Sequence, residues 1–398
     1  MRGCHPIERE EFDQRVKCAE RYLFSLGVGD VAEEVGGVNA TLFLAKIHYI
    51  QEQLGCERHA MVIGAPDFTF QTSAQKFRNA VPEGAKIIWG DDKYEFIPGE
   101  IDVDFCGMLV AGVEGDPGIV EVLDKLYELK EDDLYIGNLK IRLENFGPGS
   151  HFLNIYRVDD HEALNLPEKL TILHTSSDEM RDPLRDFVQT KAEKMWTPFG
   201  SSYVLQGSDA REYERRCRDA VEFAKVKREL LFKKIFGAGE IIANHSHYEL
   251  KGLNRAVIGC TTIDRAGELH VMASSDGLPA YLMKGKMNLS PEKIEEIGFN
   301  SRTLEGWVYE ELMSANLLPH GGGHRLIEAD GISRVILYPN AKVIIPTYHD
   351  KSGTTAYSDF ETIQRHFRVD GVLEKTLSLE LAEHYATLRF VYGIKTGL

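Results

Sequence analysis

The chain of 398 residues is 43% hydrophobic and 27% charged, which allows a large core in one or two ordinary globular domains. No apolar run reaches the ~18 residues of a membrane span, and the start, MRGCHPIEREEFDQRV, is polar rather than a basic-then-apolar leader, so a cytoplasmic protein is expected. A net charge of −16 argues against a chain that coats nucleic acid, because phosphate binding needs a positive footprint.

In chain order, residues 39–55 are predicted as a helix, with Asn39 as cap, Phe43, Ile47, Ile50 and Leu54 on a narrow apolar stripe, and Gly55 at its end. AMVIGAPDF (60–68) is a buried strand ending near Asp67, a carboxylate that either functions or caps the next turn. KIIWG (86–90) is another strand. In IDVDFCGMLVAGV (101–113), Asp104 and Cys106 stand at i, i+2, which places both on one face if the segment is extended. Asp116 and Pro117 start a helix, NFGPGSHFLNIYRV (145–158) puts His151 at the mouth of a strand, and LTILHTSSD (170–178) puts His174 where one stops.

Ser208 opens a long helix to about residue 236, buried along Tyr213, Cys217, Val221, Ala224, Leu231 and Ile235 and ended by Gly237. Its residues 211–234 hold nine Lys or Arg against five acids, net +4, leaving −20 for the rest. This is either a basic ridge for RNA or a solvated face rich in ion pairs. EIIANHSHYEL (240–250) ends a further β-like run with His245 and His247, short strands and turns broken by polar segments run through 256–346, and one helix and a last strand close the chain after Tyr357. With no repeat or linker, one mixed α/β domain over residues 1–398 is expected.

In LLPHGGGHR (317–325), His320 precedes Gly321, Gly322 and Gly323, so a phosphate can approach the ring and bare backbone N–H groups can point at it. Neutral imidazole is a competent nucleophile. Alone, this is equally a glycine-rich turn. Cys106, His151, His174 and the His245/His247 pair, all beside strand ends, form a first shell suited to Zn²⁺, Mn²⁺, Co²⁺ or Fe²⁺. The six cysteines lack CxxC spacing, and no disulfide framework is implied.

Eight short segments in order resemble the motifs of the RtcB family of GTP-dependent RNA ligases. APDFT resembles its MPDVH, VDFCGM its DxxCGM, GPGSHFLNI its GGGNHFLEI and ILHTSSD its LHSGSR. NHSHY resembles its HNY, PHGGGHR its HGAGR, AYSDF its AYKD and IKTG its C-terminal KG. The resemblance implies an α+β, RtcB-like fold with sheets around a central two-manganese site and flanking helices. It implies a histidine guanylylated by GTP that passes GMP to an RNA 3′-phosphate, derived from a 2′,3′-cyclic phosphate, before a 5′-hydroxyl seals the strand, as in tRNA splicing and RNA repair. An archease-like activator is a further implied partner.

Carried over, His320 is the nucleophile, Cys106 the bridging thiolate, and His151, His174 and either His245 or His247 the other metal ligands, with Asp104 joining them if one residue has been deleted. Ser150, Phe152 and Asn154 fall in the nucleotide-contacting motif, Tyr357 would stack on the base and Lys395 would hold its edge. Ser150 replaces an asparagine and Asn154 a guanine-reading glutamate. Asp178 stands where the family has arginine, VIGCT replaces HRKGA, and Arg325 is displaced by one residue. Two other readings fit the same residues: a metal-dependent phosphoesterase, or a degraded relative that binds RNA or a partner.

Overall fold

Two larger sheets organise the chain, which the computed structural model describes over residues 7–147, 149–159, 166–274, 277–302, 305–326, 329–338, 341–348, 355–360 and 365–395. Cys4 lies outside these residues; Cys18, Cys56, Cys106, Cys217 and Cys260 are all unpaired thiols. The first sheet runs Leu23–Ser25, Met61–Thr69, Glu83–Ile88, Arg255–Ile258, Tyr248–Leu250, and its first pair alone is parallel. The second is antiparallel throughout, in the order Ile241–Ser246, Gly107–Gly112, Lys169–Thr175, Phe152–Val158, Ala382–Ile394, Ala280–Gly285, Leu269–Met272. It curls until its two edge strands meet, so the fold is mixed α/β around a nearly closed sheet.

Strand alternation explains how this sheet is buried on both sides. Met108, Val110, Phe152, Tyr156, Leu170 and Ile172 pack together with Ala243 and Val271 from the two edge strands. The opposite face, with Leu109, Ala111, Leu153, Ile155 and Leu173, packs under the helices Ile119–Glu131 and Gly207–Phe236. The long helix follows its expected apolar stripe and ends at Gly237, whose φ of 77° suits glycine.

Its basic ridge is largely neutralised. Arg215 and Arg216 pair with Glu212, Arg218 with Glu214, and Lys225 with Glu222, while Lys227 and Arg228 turn inward. The exposed part of this helix carries a face rich in intrahelical ion pairs, each of small energy because solvent screens it.

The first helix of the sheet region begins earlier than predicted. It spans Val31–Gln53, Asp30 accepts the N–H of Glu33 at 3.0 Å, and Asn39 is buried within it rather than capping it. Burial on nearly every side overrides the narrow stripe on which the prediction rested. Helices Arg9–Glu20, Asp178–Lys191, Pro291–Glu296 and Gly306–Met313 lie in segments read as polar or left unassigned. Among the described residues no helix is long and apolar enough to cross a membrane.

Asp30 has a second task. It pairs with the buried Arg368, whose guanidinium also donates to the Phe68 carbonyl, and this ties the strand Met61–Thr69 to the glycine loop 321–323. Asp30→Ala removes both a helix cap and the partner of a buried cation. The expected loss is about 2–3 kcal/mol, below the full effect of breaking a buried pair because water reaches Asp30. Urea unfolding at neutral pH measures it, and a loss under about 0.5 kcal/mol would show that the link is not structural.

Candidate metal centre

The antiparallel register gathers four of the expected ligands at one end of the curled sheet. Ser246 faces Gly107, Gly107 faces Thr175, and Phe152 faces His174, so the start of one strand meets the end of the next. Cys106 and His151 immediately precede their strands, His174 lies near the end of its own, and His247 follows the fourth. Cys106 Sγ lies 3.0 Å from His151 Nε2, and His174 Nε2 lies 3.1 Å from His247 Nε2. The donor atoms of Cys106, His151 and His174 fall within 4.8 Å of one another, and all four side chains are buried.

These donors fit a divalent metal. His174 Nδ1–H donates to the Ser150 carbonyl at 3.2 Å, which leaves a lone pair on Nε2, directed at His247. Tetrahedral bonds of about 2.0–2.1 Å place ligand nitrogens ~3.3 Å apart, close to the observed spacing. Burial, reinforced by neighbouring histidines, holds His174 and His247 well below the ordinary histidine range, so both present neutral rings at pH 7. Burial and Asp104 push the Cys106 thiol well up, against the opposing pull of Lys76 and Arg228. Arg228, packed against Gly107, is brought down by burial to about 10 and stays charged.

His245 is not part of this cluster. Its ring turns away, with Nε2–H donating to the Leu269 carbonyl at 2.9 Å, so His247 takes the place left open between the two. Asp104 is close but differently employed. Phe105 adopts a positive φ of 55° just before the strand begins, which breaks the assumed i, i+2 relation of Asp104 and Cys106. Asp104 instead bonds Lys76 at 2.7 Å, with Arg181 and Arg185 each at 3.5 Å. Burial raises its carboxyl, but these cations outweigh that and hold it below the usual range.

His320 approaches the cluster from the first sheet. Asp67 Oδ2 accepts His320 Nδ1–H at 2.8 Å, the His320 backbone N–H at 3.0 Å and the Gly321 N–H at 3.2 Å. The ring centroid lies 4.6 Å from that of His247. Burial works against a charged ring, yet Asp67, Glu83 and the Gly259 carbonyl prevail and hold His320 above the ordinary histidine range.

The glycines, which line the cavity, also meet a packing demand. The first amides of the loop are taken by Asp67, and a Cβ would strike the Ala273 carbonyl at Gly321, Val369 at Gly322 and the Asp67 carbonyl at Gly323, where φ is +59°. Close packing thus demands glycine here.

A cavity of about 950 Å³ joins these parts. Cys106, His151, His174, His247, His320 and Gly321–Gly323 line it, with Ser150, Phe152, Asp104 and Lys395. Asn154 and Tyr357 are not among the lining residues: buried Asn154 donates to Tyr156 Oη at 3.0 Å, and Tyr357 stacks on Phe360. Lys76, Glu83, Arg181 and Arg185 also face the cavity and were not anticipated. The two arginines stand at i, i+4 on a helix that starts just after His174, a spacing the sequence does display. Lys76 sits on a five-residue helix with no such signal.

No protein-family model matches the chain, and no curated protein matches it.

Protein purified without chelator carries a divalent transition metal that Cys106→Ala loses, as read by elemental analysis; equal content in both would remove Cys106 from the centre. Because the Cys106 thiol is protonated and His174 and His247 are neutral near pH 7, binding displaces the thiol proton, so affinity falls about tenfold per unit as pH is lowered. Asp67→Ala strands two backbone donors and the His320 ring N–H, at a cost of about 2–4 kcal/mol. A thermal midpoint equal to wild type would contradict that.

Proposed function

We propose that this protein is an RNA ligase of RtcB type, joining an RNA 3′-phosphate or 2′,3′-cyclic phosphate end to a 5′-hydroxyl through a histidine–GMP intermediate. The observation that carries this reading is the placing of His320: its Nδ1–H is fixed on Asp67, and its ring lies against a Cys–His₃ cluster inside a cavity lined by Lys76, Arg181, Arg185 and Lys395. The ordered motif resemblance supplies the reaction class.

In this reading a bound Mn²⁺ pair, held by Cys106, His151, His174 and His247, supplies Lewis-acid neutralisation of phosphate oxygens. His320 gives up its Nε2 proton to solvent, and Nε2 attacks the α-phosphorus of GTP; the N–P bond forms as the bond to the leaving pyrophosphate breaks. Asp67 keeps the Nδ1 proton in place and balances the charge that develops on the ring. An oxygen of the RNA 3′-phosphate then takes the GMP from His320, and the 5′-hydroxyl displaces GMP to form the phosphodiester. Arg181 lies one helical turn beyond Asp178, the position where the family has an arginine, and returns a guanidinium to the cavity.

A second reading is favoured by one observation: Asn154 and Tyr357, expected to read and stack the base, do not line the cavity. The same centre, without these two residues as readers of a base, suits a phosphoesterase, in which water replaces His320 as nucleophile. Labelled GTP or ATP with Mn²⁺, followed by acid treatment and a denaturing gel, separates the two. The expected result is an acid-labile adduct with wild type and His324→Ala and none with His320→Ala. Hydrolysis of an RNA cyclic phosphate without any adduct would replace the ligase by the esterase, and an adduct on His320→Ala would remove His320 from the role. Comparable labelling by ATP would mean altered nucleotide choice.

A further inference from the structure

We propose that His245, Glu268 and His270 form a second divalent-metal site, separate from the Cys106 centre, where zinc or a cation of its class clasps the two edges of the curled sheet. His245 stands on the edge strand Ile241–Ser246, and His270 on the opposite edge strand, Leu269–Met272, with Glu268 just before it. One ligand atom from each lies within 4.8 Å of the others. His270 Nε2 and Glu268 Oε2 are 3.7 Å apart, close to the ~3.3 Å between tetrahedral ligands.

The protonation pattern is that of a site ready for metal. His245 Nε2–H donates to the Leu269 carbonyl at 2.9 Å, which leaves Nδ1 as the lone pair and gives the ring the backbone-anchored orientation typical of metal-bound histidine. His270 is 1% exposed, and neither of its ring nitrogens has a hydrogen-bond partner. The two rings lie nearly parallel, with centroids 4.2 Å apart and 17° between planes, so one ring turns about its Cβ–Cγ bond before both in-plane lone pairs meet a single ion. Glu268 adds the negative charge that two neutral imidazoles lack. The nearby cation Lys251 is committed to Glu249 at 2.8 Å.

Two imidazoles and one carboxylate select a borderline cation, zinc foremost, over calcium or magnesium, which prefer all-oxygen shells. Three protein ligands leave a fourth position, and a surface cleft of about 540 Å³ lined by His245, Glu268 and Arg265 opens beside it. Among the described residues no cysteine belongs to this group, which distinguishes it from the first centre.

Cobalt tells the two apart. Bound through Cys106 it gives a near-ultraviolet thiolate charge-transfer band; bound at the seam it gives none. Full-length protein freed of metal by chelator is titrated with Co²⁺, then with Zn²⁺, while bound metal and thermal midpoint are followed. Wild type is expected to bind a band-silent equivalent that Glu268→Gln and His270→Gln each weaken by at least ~100-fold, more than the loss of an outer-shell partner costs. The thiolate band should keep its intensity in both variants, and Zn²⁺ should raise the midpoint of wild type more than that of Glu268→Gln. Glu268→Gln is isosteric and partly exposed, so it guards against a misfolded His270 variant. If wild type binds no band-silent equivalent, or binds it equally in both variants, the seam is not a metal site. Neither outcome depends on whether the other centre ligates RNA.

Discussion

One buried carboxylate oxygen, Asp67 Oδ2, holds the functional region together. It receives three N–H groups from His320 and Gly321, and so fastens a loop from late in the chain to a strand from early in it. Such an acceptor is worth most where water cannot compete, and Asp67 is fully buried. The arrangement also settles the histidine's tautomer. With Nδ1–H held by Asp67, the proton that the charged ring gives up comes from Nε2.

Around that contact the charges are sorted by depth. The chain is strongly acidic overall, yet Lys76, Arg181, Arg185 and Lys395 converge on the cavity. Asp104 draws three of these cations together, so they are ordered before any anion arrives. The cations of the long helix divide differently: Arg215, Arg216, Arg218 and Lys225 pair with acids on the same helix, while Arg228 is drawn beneath Cys106. Positive potential is thereby concentrated at one concave place, where it acts on an anion far more strongly than it would if spread over a surface.

Much of this was legible in the residues. His151, His174 and the end of the strand holding His245 and His247 could be placed from apolar runs that stop abruptly, because strand ends are marked by composition alone. The choice of His247 over His245 was not legible, since it depends on how the chain turns at Ser246. Nor could alternation predict Asp104, because the left-handed Phe105 breaks it. The triple glycine signalled a special backbone, but the reason lies in Ala273 and Val369, which come from elsewhere in the sequence. Local pattern locates an element's end; the neighbour that meets it is a property of the whole fold.

The sequence separations within the site bear on how it is made. Cys106 and His151 are 45 residues apart and His174 and His247 are 73 apart, whereas Asp67 and His320 are 253 apart. A ribosome therefore releases all the thiol and imidazole donors of the Cys106 cluster before the loop that carries His320 exists. Until then Asp67 is a buried-type carboxylate without its donors, and the strand on which it sits lacks its tie to the glycine loop. Long-range closure of this kind comes late in folding. A nascent chain can thus gather these donors early, but His320 joins them only when most of the polypeptide has been synthesised.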